Sequence, residues 1–148
     1  MPDDHWTIAT ADDGGNRLFF RIRAVPPAEA DRARFPRQLA VTWEYDDAGN
    51  NGLPASEVLE RMSLFEDRLT VALEDAGAAF ATVVVTGNGA REWHWYIADT
   101  EQVMGLVNQA LSDLEPFPVI FSIHEDPEWE GYFSFLSNMK SDGDEHVN

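Results

Sequence analysis

Cysteine is absent from this sequence, which excludes disulfides, thiolate zinc sites and cysteine nucleophiles together and says little about compartment. Basic residues are scarce: 10 Lys and Arg stand against 27 Asp and Glu, for a formal net charge of -17. A field of that sign repels phosphate backbones and anionic lipid surfaces, so neither nucleic acid nor membrane is expected as a partner. It favours a basic protein, or serves only to keep the chain soluble. Long hydrophobic runs are missing as well, far short of the roughly 20 residues that a membrane helix needs. The opening Met1-Pro2-Asp3-Asp4-His5-Trp6 has neither the basic nor the apolar stretch of a secretory signal, so the cytoplasm is the expected setting.

What is present suffices for a core. Over 148 residues the hydrophobic fraction is 44% and the aromatic fraction 11%, and a chain of this length buries roughly 68–70% of its unfolded surface. No repeat or linker divides it. The expectation is one domain over residues 1–136 and a flexible polar tail over 137–148.

The pattern alternates strands and helices. Residues 6–9 and 17–23 flank Asp12-Asp13-Gly14-Gly15-Asn16 and predict an N-terminal hairpin. Its second strand puts Leu18, Phe20 and Ile22 on one face and Arg17, Phe19, Arg21 and Arg23 on the other, a basic face in an acidic chain. A proline-bearing connection over 25–36 precedes a strand at 38–45. Then Val58, Met62, Phe65, Leu69, Ala72 and Ala76 mark the buried stripe of a helix, ended by Gly77. Residues 80–86 and 91–98 form a hairpin through Gly87-Asn88-Gly89. Asp99, three residues before Gln102, caps a second helix with Val103, Leu106, Val107, Ala110, Leu111 and Leu114 inward. A strand at 119–124 follows, and Asp126 and Pro127 start a short last helix with Trp129, Phe133 and Leu136 inward.

From Gln38 the order is β-α-β-β-α-β, which predicts an α+β, ferredoxin-like sandwich with both helices on one face of a four-stranded sheet. The strands at 38–45 and 91–98 are expected side by side and parallel in its centre, placing His94 near Thr42 and Glu44 near Tyr96. The extra hairpin either extends an edge or covers the open face.

On that face, Glu92, His94 and Tyr96 oppose the inward Trp93, Trp95 and Ile97, and Glu44 and His124 join them from neighbouring strands. Imidazoles and carboxylates together suit a shallow ligand or metal site; the competing reading is a solvated sheet face. The segment with Asp126, Trp129 and Tyr132 reads either as a recognition edge or as a clasp pinning the last helix. No catalytic residue and no metal ligand set is assigned. No cofactor is expected, because Gly87-Asn88-Gly89 joins two strands whereas a dinucleotide loop leads into a helix. Asp46-Asp47-Ala48-Gly49-Asn50 resembles a calcium loop only superficially, lacking the final glutamate.

Val41-Thr42-Trp43-Glu44-Tyr45, Asn51-Gly52-Leu53-Pro54, Gly89-x-Arg91-Glu92-Trp93 with Tyr96, and Asp126-Pro127-Glu128-Trp129-Glu130-x-Tyr132 stand in an order that resembles the bacterial domain of unknown function 695, over residues 35–136. That resemblance brings no catalytic residues. In expected fold it is similar to the ribonuclease-regulator B proteins, small acidic inhibitors whose own motifs are absent here. The functional expectation is a non-enzymatic interaction or regulatory module, monomer or homodimer, that meets a basic protein. The alternative is a small-molecule or metal site, hydrolytic in one version, on the open sheet face.

Overall fold

Two-residue alternation and glycine turns build a sheet here, and 3.6-residue stripes lay helices on it. The computed structural model describes residues 6–14, 16–47, 49 and 52–147. Residues 1–5, and residues 48 and 50 of the loop likened to a calcium site, lie outside the described residues. The hairpin β1 (Trp6–Asp13) and β2 (Asn16–Arg23) leads through a short α1 (Glu29–Ala33) to β3 (Arg37–Glu44) and α2 (Ser56–Asp75). Then come β4 (Ala79–Gly87), β5 (Ala90–Ile97), α3 (Thr100–Ala110), β6 (Val119–Glu125) and α4 (Glu130–Val147). The architecture is α+β: a six-stranded antiparallel sheet in the order β1-β2-β4-β5-β3-β6, with four helices.

β3 and β5 are neighbours in the sheet interior, but they run antiparallel, which corrects the expected parallel pairing. A count of reversals explains this. The α2 crossover returns the chain so that β4 points along β3, and the tight turn then reverses β5. At that turn Asn88 and Gly89 have φ of 53° and 80°, the positive values that a two-residue hairpin loop demands. The register pairs His94 with Ala40, Glu92 with Thr42 and Tyr96 with Gln38, so His94 is not across from Thr42, nor Glu44 from Tyr96.

Each face of the sheet has its own core. Under α2 and α3 lie Leu39, Val41, Trp43, Trp93, Trp95 and Ile97, met by Met62, Phe65, Leu69 and Leu73 from α2 and by Val103 and Val107 from α3. Leu73 takes the place the stripe had given to Ala76, because α2 ends at Asp75. Asp99 caps α3 by accepting from the Gln102 backbone N–H at 3.1 Å. On the opposite face Ile22, Val83 and Tyr96 pack against Trp129, Tyr132 and Leu136. The hairpin extends the β4 edge; it is α4 that lies over the second face. α4 continues to Val147, across the segment that composition marks as a tail.

Candidate binding site

Four of the residues singled out from the sequence come together at the start of α4. Tyr96 stacks on Trp129 with ring centroids 4.1 Å apart, and its hydroxyl donates to Asp126 Oδ2 at 2.7 Å. The same carboxylate accepts from the N–H groups of Glu130 at 2.9 Å and Gly131 at 3.1 Å, so it caps the helix. Trp129 Nε1 donates to the Phe35 carbonyl at 2.8 Å, and the Tyr132 hydroxyl to the Arg23 carbonyl at 2.6 Å. A Cβ on Gly131 would stand 3.0 Å from Gln38 Nε2, so a larger residue here would have to move that amide. These groups satisfy one another, and the arrangement is a clasp. Burial and then the Asp126 carboxylate hold the Tyr96 phenol well above its ordinary pKa, and burial pushes Tyr132 up to about 12.

Of the other four only Glu92 and His94 meet. His94 Nε2 meets Glu92 Oε1 at 2.8 Å, with the imidazole edge-on to Phe135. That hydrogen bond holds the Glu92 carboxyl below its usual pKa. His124 is exposed on β6, where it pairs with Gln38, and Glu44 is exposed at the end of β3 opposite Ala90. Among the described residues no group of three or more His, Asp or Glu could hold a metal ion. Nor, among them, is any helix long and apolar enough to cross a membrane.

Two features built around α2 lie outside the site residues singled out from the sequence. The first is its solvent face. At 3.6 residues per turn, Glu57, Glu60, Leu64, Asp67, Val71 and Asp75 fall within roughly 80° of arc, opposite Met62, Phe65 and Leu69, and all six are exposed. The helix's cations are drawn to another side. Arg61 lies over the Phe117 ring at 4.7 Å, and Arg68 pairs with Asp113 at 2.9 Å. The same 3.6-residue spacing that marks the inward stripe puts these six residues on one outward arc.

The second feature is a cleft. α2 and α3 cover the strands from β4 to β6, and the hairpin projects past them, leaving a gap between β2 and α2. The β2 face read as basic lines that gap. Arg21 Nη2 donates to Glu66 Oε1 at 2.6 Å, and Trp93 Nε1 donates to the same oxygen at 2.8 Å. The Arg23 guanidinium sits 4.4 Å from the Trp6 ring centre and 4.6 Å from that of Phe80. A cavity of about 270 Å³ bordered by Trp6, Arg21, Arg23 and Glu74 occupies one side of Glu66. A second, of about 230 Å³, bordered by Ile8, Phe19, Arg21 and Arg91, lies on the other.

A profile of DUF695, a family of unknown function, matches residues 4–137. The chain belongs to the DUF695 family. No curated protein matches it. The segments that carry the DUF695 resemblance fall at structural junctions: Val41 and Trp43 in the core under α2, Asp126, Trp129 and Tyr132 in the clasp. Arg91 differs from these, because it leads out of the β4–β5 turn to the rim of the cleft.

Proposed function

We propose that this DUF695 chain is a non-enzymatic, cytoplasmic interaction module that presents the solvent face of α2 to a basic protein. The observation that carries the reading is the composition of that face. Leu64 and Val71 are 39% and 60% exposed in a row otherwise made of Glu57, Glu60, Asp67 and Asp75. Solvation alone calls for no leucine or valine there. A partner segment with apolar residues flanked by Lys or Arg would cover both kinds of side chain at once. The formal charge of -17 speeds the encounter with a cation and makes it salt-sensitive.

We read β3 to β6 with α2 and α3 as a ferredoxin-like unit. The strand order β4-β5-β3-β6 and the placing of both helices over one core support that assignment.

The test is affinity capture at low salt with the wild-type chain and with the double variant Glu60→Lys, Asp67→Lys. The expected result is a basic protein retained by the wild type, released by salt and absent from the variant. Equal retention by both chains removes α2 from the reading, and no retained protein removes the basic partner.

A further inference from the structure

Two guanidinium groups, Arg21 from β2 and Arg91 from β5, and one carboxylate, Glu66, border the cavity of about 230 Å³. Arg21 and Trp93 both use Glu66 Oε1. Arg91, half-buried, donates through Nε to Thr86 Oγ1 at 2.8 Å. Among the described residues no carboxylate stands within ion-pair distance of Arg91. Glu66 therefore serves Arg21 directly and Arg91 only at longer range, while the two guanidinium groups repel each other. A partly desolvated cation without a paired anion is costly, and a planar carboxylate that accepts two N–H bonds is the group that offsets the cost best.

The same cavity has an apolar rim. Ile8 is 75% exposed and Phe19 38% exposed, and both border the cavity of about 230 Å³ that Arg91 and Arg21 also line. Exposed large apolar side chains beside an arginine are the two halves of a site for an amphipathic anion. A dianion such as phosphate fits less well. Glu66 is already bonded to Arg21 and acts on Arg91 at longer range, and the protein's overall field opposes a second negative charge.

We infer that the cleft between the N-terminal hairpin and α2 binds a small organic monocarboxylate, its carboxylate on Arg91 and Arg21 and its apolar body on Ile8 and Phe19. Arg21 keeps its bond to Glu66, and the ligand carboxylate completes the set of anions around Arg91. This inference is independent of the α2 docking surface, which uses the adjacent arc of the helix.

Phenylacetate is the probe, titrated into the full chain and followed by the fluorescence of its tryptophans, of which Trp6 and Trp93 border the cleft. Acetate, phenylacetamide and inorganic phosphate are the comparison ligands. The expected result is saturable phenylacetate binding below about 10 mM, with acetate weaker and phenylacetamide silent. Arg91→Gln should weaken binding about tenfold while the thermal transition stays cooperative. Should that variant fail to fold, Ile8→Ser alters only an exposed side chain and should weaken phenylacetate without changing acetate. No saturation by phenylacetate overturns the inference. So does equal binding of the amide, equal or tighter binding of phosphate, or unchanged affinity in the variant that folds.

Discussion

Tyr96 lies flat against Trp129, ring planes 12° apart, although the two residues come from the sheet interior and from the loop ahead of the last helix. Trp129 holds a φ of 58° to do so, a left-handed backbone that a bulky residue rarely adopts. The surrounding contacts enforce it: the indole N–H on Phe35, the Asp126 cap, and the edge of Tyr132 against the indole. Trp129→Ala should therefore cost about 3–5 kcal/mol, as for other buried aromatics. Chemical denaturation measures it. A loss under about 1 kcal/mol would show that the clasp is not what holds α4 to the sheet.

Alkali should undo the same clasp. Both Tyr96 and Tyr132 have folded pKa values above the ordinary 10.0, Tyr132 at about 12. Groups raised in this way give stability that is whole below the unfolded value, about pH 10, and is lost as pH rises through the folded one. The denaturation midpoint should fall steadily above about pH 10, and Tyr132→Phe should flatten that fall. An unchanged slope in the variant would mean that another group governs the alkaline limb.

On the acid side the sign is reversed. His94 holds Glu92 below its ordinary pKa, so the pair's contribution is present above the unfolded value of about 4.3 and lost as pH drops through the folded one. Glu92→Gln should lower stability slightly at neutral pH, where the pair's contribution is present, and make the acid limb shallower. The glutamate is partly exposed, and the effect is accordingly small. Parallel acid titrations of the two chains, followed by circular dichroism, decide it.

Gly87 joins the hairpin to the sheet. A Cβ at this position would stand 2.5 Å from Leu18 Cδ2 and 2.8 Å from the Arg17 carbonyl, with φ at 150°. Gly87→Ala must push β2 away from β4, at a cost of about 1–3 kcal/mol, and should raise hydrogen exchange in β1 and β2 before the rest of the sheet. Uniform exchange across all strands would show that the hairpin is not a separately weakened edge.

Local pattern made much of this fold legible. The stripe Met62, Phe65, Leu69 named the buried side of α2, Asp99 named the start of α3, and Gly87-Asn88-Gly89 named a turn. What escaped is non-local. The direction of β5 relative to β3 depends on how many reversals lie between them, and no single segment records that sum. α4 covers the second face because Trp129 and Tyr132 find Tyr96 and Arg23 far away in sequence, so the supposed open site around Tyr96 is filled by the chain itself. The basic face of β2 was visible as alternating arginines, but its meaning needed Glu66 from α2 beside it.

The solvent face of α2 is tested most directly by the affinity of a captured basic protein for three chains. These are the wild type, Glu60→Lys with Asp67→Lys, and Arg91→Gln, each titrated at two salt concentrations. Salt should weaken the wild-type complex, the α2 variant should lose about tenfold or more, and Arg91→Gln should bind as the wild type does. Unchanged affinity in the α2 variant would contradict the docking role of that face.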